Sequence, residues 1–75
     1  MMLIDIRDKE KYLKGHLNGA VSIPFLELFL NPNRLSKDKE YTLYCDTGSK
    51  SKILVNHLNK LGYHCVNLDG GYLFH

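Results

Sequence analysis

A chain of 75 residues is long enough for one small domain, spanning 1–75, and a domain of that size buries only roughly 60% of its unfolded surface. An apolar fraction of 44% and a charged fraction of 24% exclude a disordered or low-complexity chain. The formal net charge of +2 comes from scattered lysines, which gives no footprint for nucleic acid or an anionic membrane.

No apolar run approaches the ~20 residues of a membrane span. The opening Met1-Met2-Leu3-Ile4-Asp5 lacks the basic region and long apolar stretch of a signal peptide. The expectation is a cytoplasmic protein with Cys45 and Cys65 reduced, since two cysteines make no disulfide framework. His16, His57, His64 and His75 fall in no metal-ligand spacing, so neither metal nor cofactor is expected.

In chain order, residues 2–6 read as a short buried strand. Asp8 is placed to cap a helix over Lys9–Leu13, with Tyr12 and Leu13 facing inward, and Gly15 stops it. After the turn-rich residues 15–19, Ala20–Ile23 read as a second strand ended by Pro24. Phe25–Leu30 are apolar nearly all round and predict a short buried helix before Asn31-Pro32-Asn33, with Phe25, Leu28 and Phe29 in the core. Ser36–Glu40 form a charged surface turn.

The stretch from Tyr41 organises the rest. Tyr41-Thr42-Leu43-Tyr44 is aromatic and β-branched, a buried strand. From Lys50 the spacing turns helical, with Leu54, Leu58 and Leu61 on one face and Gly62 ending the helix. Cys45 therefore stands at the C-terminal end of a strand, before a Gly-containing loop that enters a helix N-terminus. Ligands of open α/β sheets bind at that end of the strands. Free N–H groups and the positive end of the helix dipole favour the thiolate there. Tyr63–Leu68 read as the last strand, Asp69-Gly70-Gly71 as a turn and Tyr72–His75 as a tail. Strands alternating with helices predict an α/β fold with a mostly parallel sheet.

With these pieces in place, the sequence resembles the rhodanese-like domain, a family of single-domain sulfurtransferases. Leu3-Ile4-Asp5-Ile6-Arg7 is similar to that family's strand ending in Asp-x-Arg. Tyr12, residues 15–20 and Ser22-Ile23-Pro24 are similar to its Y..GHI.GA.NIP stretch. Cys45-Asp46-Thr47-Gly48-Ser49-Lys50-Ser51 is similar to its CxxGxRS loop, and Gly62-Tyr63, Val66, Leu68 and Gly70-Gly71-Tyr72 to its closing GY..V..L.GG. The resemblance implies a small parallel sheet with helices on both faces. It also implies that Cys45 carries sulfane sulfur as a persulfide, taken from thiosulfate or a protein persulfide and passed to cyanide or a thiol. Asp46, Thr47, Gly48, Ser49, Lys50 and Ser51 would line the substrate site, through N–H groups, hydroxyls and the Lys50 charge.

Three departures stand out. Lys50 replaces the usual Arg, keeping the charge but losing the bidentate fork. Asp46 puts a negative charge beside the thiol, which should raise its pKa and disfavour a dianion. The family's first strand and helix have no counterpart here, and the chain ends where relatives add a short helix. An uncovered edge would invite pairing or dimerisation, and the expected state is a monomer or a weak homodimer. Two other readings follow from the family: a non-catalytic interaction module, and phosphatase or arsenate reductase chemistry. The latter uses a loop one residue longer than the Cys-x4-Lys found here. Cys65 reads as core, with a resolving thiol as the alternative. Asp5, Arg7 and His16 read as structural, Asp5 and Arg7 tying the strand end to His16 or the loop, and His57 reads as surface.

Overall fold

The computed structural model describes residues 2–75; Met1, the first residue of the expected 1–75 domain, lies outside them. Four strands form one parallel sheet: β1 (Met2–Asp5), β2 (Val21–Ser22), β3 (Glu40–Tyr44) and β4 (His64–Asn67), in the order β2-β1-β3-β4. Four helices connect and follow them: α1 (Lys9–Lys14), α2 (Phe25–Leu30), α3 (Ser49–Lys60) and α4 (Gly71–Phe74). A single 3-10 turn, Pro32–Arg34, follows α2. No helix among the described residues is long and apolar enough to cross a membrane.

Strand alternation sorts the side chains. Ile4 and Ile6 of the first segment, Tyr41, Leu43 and Cys45 of the third, and Cys65 share one face. Leu28 of α2 and Leu54, Val55 and Leu58 of α3 cover that face and complete the core. Each fully buried Leu or Ile contributes about 1.5–3 kcal/mol from removal of its surface from water. The opposite face carries Asp5 and Tyr44, met by the segment after α1 and by Tyr72 of α4.

Five expectations need correction. Leu13 is 70% exposed rather than inward, because α1 makes fewer than two turns and Tyr12 takes the inward position, its hydroxyl donating to the Ala20 carbonyl at 2.7 Å. In α2 only Leu28 is fully buried. Leu26, Phe29 and Leu30 are exposed, and Phe25 packs at the core's margin, since one helix presents a single stripe to the sheet. Leu61 lies past the end of α3 and is exposed, with Val55 filling the inner face instead. Residues 71–74 are helical, not a tail: the Tyr72 N–H donates to the Cys45 carbonyl at 2.8 Å and the Leu73 N–H to that of Asp46 at 3.0 Å. His57 is half-buried against the Phe29 ring, with centroids 4.7 Å apart, rather than simply on the surface.

The most connected polar feature is a buried ion pair. Asp5 is fully buried at the end of β1. It accepts from the Arg7 N–H at 2.9 Å, from Arg7 Nη2 at 2.6 Å and from the Tyr44 hydroxyl at 2.7 Å. Burial, with the Asp5 carboxylate beside it, pushes the Tyr44 phenol up to about 12, so it stays a donor. Arg7 also donates to the Gly15 carbonyl at 2.7 Å. The pair ties down no part of His16, which instead stacks on Tyr12 at 3.9 Å. Removing one partner of a buried pair strands the other charge in low dielectric. Arg7→Ala should therefore cost about 3–5 kcal/mol in urea unfolding, close to the whole stability of a small domain; a loss under about 1 kcal/mol would show that the pair behaves as a solvent-screened one.

Candidate functional site

Cys45 follows β3 directly and faces the helix it leads into. Its sulfur accepts from the Gly48 N–H at 3.1 Å and the Ser51 N–H at 3.4 Å, and lies 3.4 Å from the Ser51 hydroxyl. Gly48 makes this curl possible. Its φ of 98° is left-handed, and a Cβ there would press to 3.1 Å from the Gly70 N. Gly71 closes the loop from the far side. With φ of 62°, it brings α4 so near that a Cβ would overlap the Cys45 and Asp46 carbonyls.

The Cys45 thiol is only 5% exposed, and burial is the largest single influence on it, raising its pKa. The Ser51 hydroxyl and the N–H groups of Ser51, Gly48 and Thr47 together outweigh burial and bring it below the ordinary thiol value. The expected upward push from Asp46 does not prevail. Its carboxylate bonds Lys11 Nζ at 2.7 Å and sits 3.7 Å from Arg7 Nη1, so its charge is spent on those cations and its own pKa is lowered, chiefly by Lys11.

A cleft of about 330 Å³ opens beside the sulfur, lined by Ile6, Phe25, Cys45, Thr47 and Ser49, with Arg7, Lys11 and Lys50 set against Asp8 and Asp46. Of the residues singled out in sequence, Cys45, Asp46, Thr47, Ser49 and Lys50 line this cleft. Gly48 and Ser51 lie behind it, buried, and act on the sulfur from below. Sequence reasoning missed Lys11 and Phe25 as cleft residues. Their separation from Cys45 in the chain hides them, and a cation one helical turn into α1 is the only signal for Lys11. It also missed Asn67, whose amide donates to the Gly48 carbonyl at 3.2 Å.

A larger cleft, about 480 Å³, lies at the other end of β4 around Tyr41, Tyr63, Cys65 and Val66. Burial pushes the Cys65 thiol up to about 11, so it is protonated and unreactive at neutral pH. Nor can it resolve Cys45. Cys65 pairs in register with Tyr41, four residues before Cys45, which at ~3.3 Å per residue is ~13 Å along the sheet, against the ~7 Å limit for a disulfide. The smaller cleft is therefore the candidate site.

The Rhodanese-like domain family model matches residues 1–73. Bacillus subtilis YtwF is 33% identical over 73 residues, covering 97% of this chain and 71% of that protein. A tRNA sulfurtransferase of Pyrobaculum aerophilum is 36% identical over 67 residues, covering 89% of this chain but 14% of that protein. Among solved structures, a protein of Staphylococcus saprophyticus superposes with a TM-score of 0.92 at 27% identity, covering 99% of this chain and 74% of that one.

The two thiols should separate cleanly in alkylation. Because the folded pKa of Cys45 is depressed, its thiolate persists as pH falls, and its rate with iodoacetamide should reach half-maximum below the ordinary ~8.5. Cys65 should stay unmodified in the same samples, as read by peptide mass mapping. A Cys45 midpoint at or above ~8.5 would contradict the electrostatics described.

Proposed function

The chain belongs to the rhodanese-like domain family, and from that premise we propose that it is a sulfurtransferase that carries sulfane sulfur on Cys45. The observation that carries the reading is the convergence of N–H groups on a sulfur that opens into a cleft. The sulfurtransferase named among its relatives supports the reaction class. The reading includes a reducing, cytoplasmic setting, supported by two unpaired cysteines.

In the first step the Cys45 thiolate attacks the outer sulfur of the donor, thiosulfate or a persulfide. A new S–S bond forms to Cys45 as the donor's S–S bond breaks, and sulfite or a thiolate departs with the electron pair. Cys45 is left as a persulfide. In the second step a thiolate or cyanide attacks the terminal sulfur, and Cys45 leaves as a thiolate. The attacking thiolate needs no side-chain base; the lowered Cys45 pKa favours it, and the second step regenerates it. The Gly48 and Ser51 N–H groups hold the charge on sulfur without reorganising. Thr47, Ser49 and Lys50 at the cleft mouth are the groups that meet the departing anion. The pairing of Asp46 with Lys11 keeps the mouth from repelling an anionic donor.

Intact mass after incubation with thiosulfate, and in parallel with a cysteine-desulfurase persulfide, tests this. The wild type should gain one sulfur (about 32 Da) and Cys45→Ala none, since the persulfide is a covalent intermediate on that thiol. Gain only from the protein persulfide would fix the donor class. No gain from either would overturn the catalytic reading in favour of a non-catalytic module.

A further inference from the structure

Ser51 is fully buried in the first turn of α3, and its hydroxyl has two neighbours. It lies 3.4 Å from the Cys45 sulfur and donates to Asn67 Oδ1. The orientation of the Asn67 amide is not free. Its nitrogen donates to the Gly48 carbonyl at 3.2 Å and to Asp69 Oδ1 at 3.0 Å, both pure acceptors, which leaves the amide oxygen facing Ser51. An amide oxygen only accepts, so the single hydroxyl proton of Ser51 is claimed from the β4 side.

We infer that Asn67 is a positioning residue for the sulfur site, acting through Ser51: it competes with the Cys45 sulfur for the one proton of the Ser51 hydroxyl. With Cys45 as a thiol, Ser51 donates to Asn67 and offers its lone pair to the S–H. With Cys45 as a thiolate, two acceptors face one proton, so Asn67 weakens the hydroxyl's share in holding the sulfur and leaves more of that hold to the backbone N–H groups. The consequence is a moderated thiolate. The N–H groups favour ionisation without holding the charge so strongly that nucleophilicity is lost, because nucleophilicity falls as a thiol's pKa falls. This assignment rests on the sulfurtransferase reading for its purpose, but not for its test.

The charged groups around the sulfur are Arg7 and Asp8 after β1, Lys11 on α1, Asp46 in the loop and Lys50 on α3, with Asp69 beyond Asn67. All of them are left in place by the variants used. The test is a cycle of wild type, Asn67→Ala, Ser51→Ala and the double variant, reading the pH midpoint of Cys45 alkylation. Asn67→Ala should free the hydroxyl for the thiolate and lower the midpoint by about one pH unit, the scale of one added hydrogen bond to a charged group. In the Ser51→Ala background the same substitution should move it little. If Asn67 only braces the loop through Gly48, its loss raises the midpoint, or shifts it equally in both backgrounds; either result, or no shift at all, overturns the inference. Should Asn67→Ala fail to fold, Asn67→Val, a better strand former, replaces it in the cycle. Sulfur transfer is measured separately, so an active cycle with no transfer would leave this inference standing while the sulfurtransferase reading falls.

Discussion

The buried pair of Asp5 and Arg7 holds the site from several directions at once. Asp5 takes the hydroxyl of Tyr44, the residue just before Cys45, and that hydroxyl in turn accepts the Leu17 N–H at 3.0 Å. The Arg7 guanidinium lies 3.9 Å from the centre of the Tyr72 ring, and the Tyr72 N–H holds the Cys45 carbonyl. Its remaining reach is toward Asp46. The side chain before the cysteine, the carbonyl of the cysteine and the side chain after it are thus anchored to one ion pair. Desolvating two charges is costly unless hydrogen bonds compensate, and here both Asp5 oxygens accept while Arg7 Nε and Nη2 donate. The cost is offset by geometry: a four-stranded sheet with two short helices around its C-terminal end has little else to fix a loop.

Cys45 and Cys65 show what that fixing achieves. Both are 5% exposed, and burial alone would raise both thiols. Among the described residues no donor is aimed at the Cys65 sulfur, and its pKa rises to about 11. Cys45 has the Gly48 and Ser51 N–H groups and the Ser51 hydroxyl, and its pKa falls. The difference is made mostly by neutral dipoles rather than by ionised side chains. The charged groups at the cleft mouth largely answer one another, as Lys11 does Asp46. The local charge near the sulfur is therefore not what a count of acidic and basic residues suggests, and Asp46 beside the thiol is a weaker opponent than its place in the chain implies.

Two left-handed glycines make the arrangement sterically possible. Gly48 turns the chain so that the first N–H groups of α3 point at the sulfur, and Gly71 lets α4 approach the loop's carbonyls. A side chain at either position would push apart backbone that must touch. The loop is held between the N-terminus of α3 and the start of α4, with Asn67 of β4 bridging to Gly48.

Sequence by itself determined the order of the strands and of the first three helices, the parallel sheet, the fold class and a loop over 45–51 that leads from a strand end into a helix N-terminus. Those features rest on local rules: apolar periodicity, glycines where φ turns positive, and a cysteine between a strand and a helix. Only the tertiary structure decided which apolar residues are inside. Leu13, Leu26 and Leu30 are exposed because each short helix can turn just one stripe to the sheet, and a helix this short gives too little periodicity to show which. Tertiary packing also made Gly71–Phe74 a helix, since its N–H groups find the Cys45 and Asp46 carbonyls only once β3 and β4 are side by side. The same packing brought Lys11 to Asp46 and Asn67 to Ser51. These pairs lie far apart in the chain, and the balance of charge and protons at the sulfur depends on them, so it could not be read from neighbours in sequence.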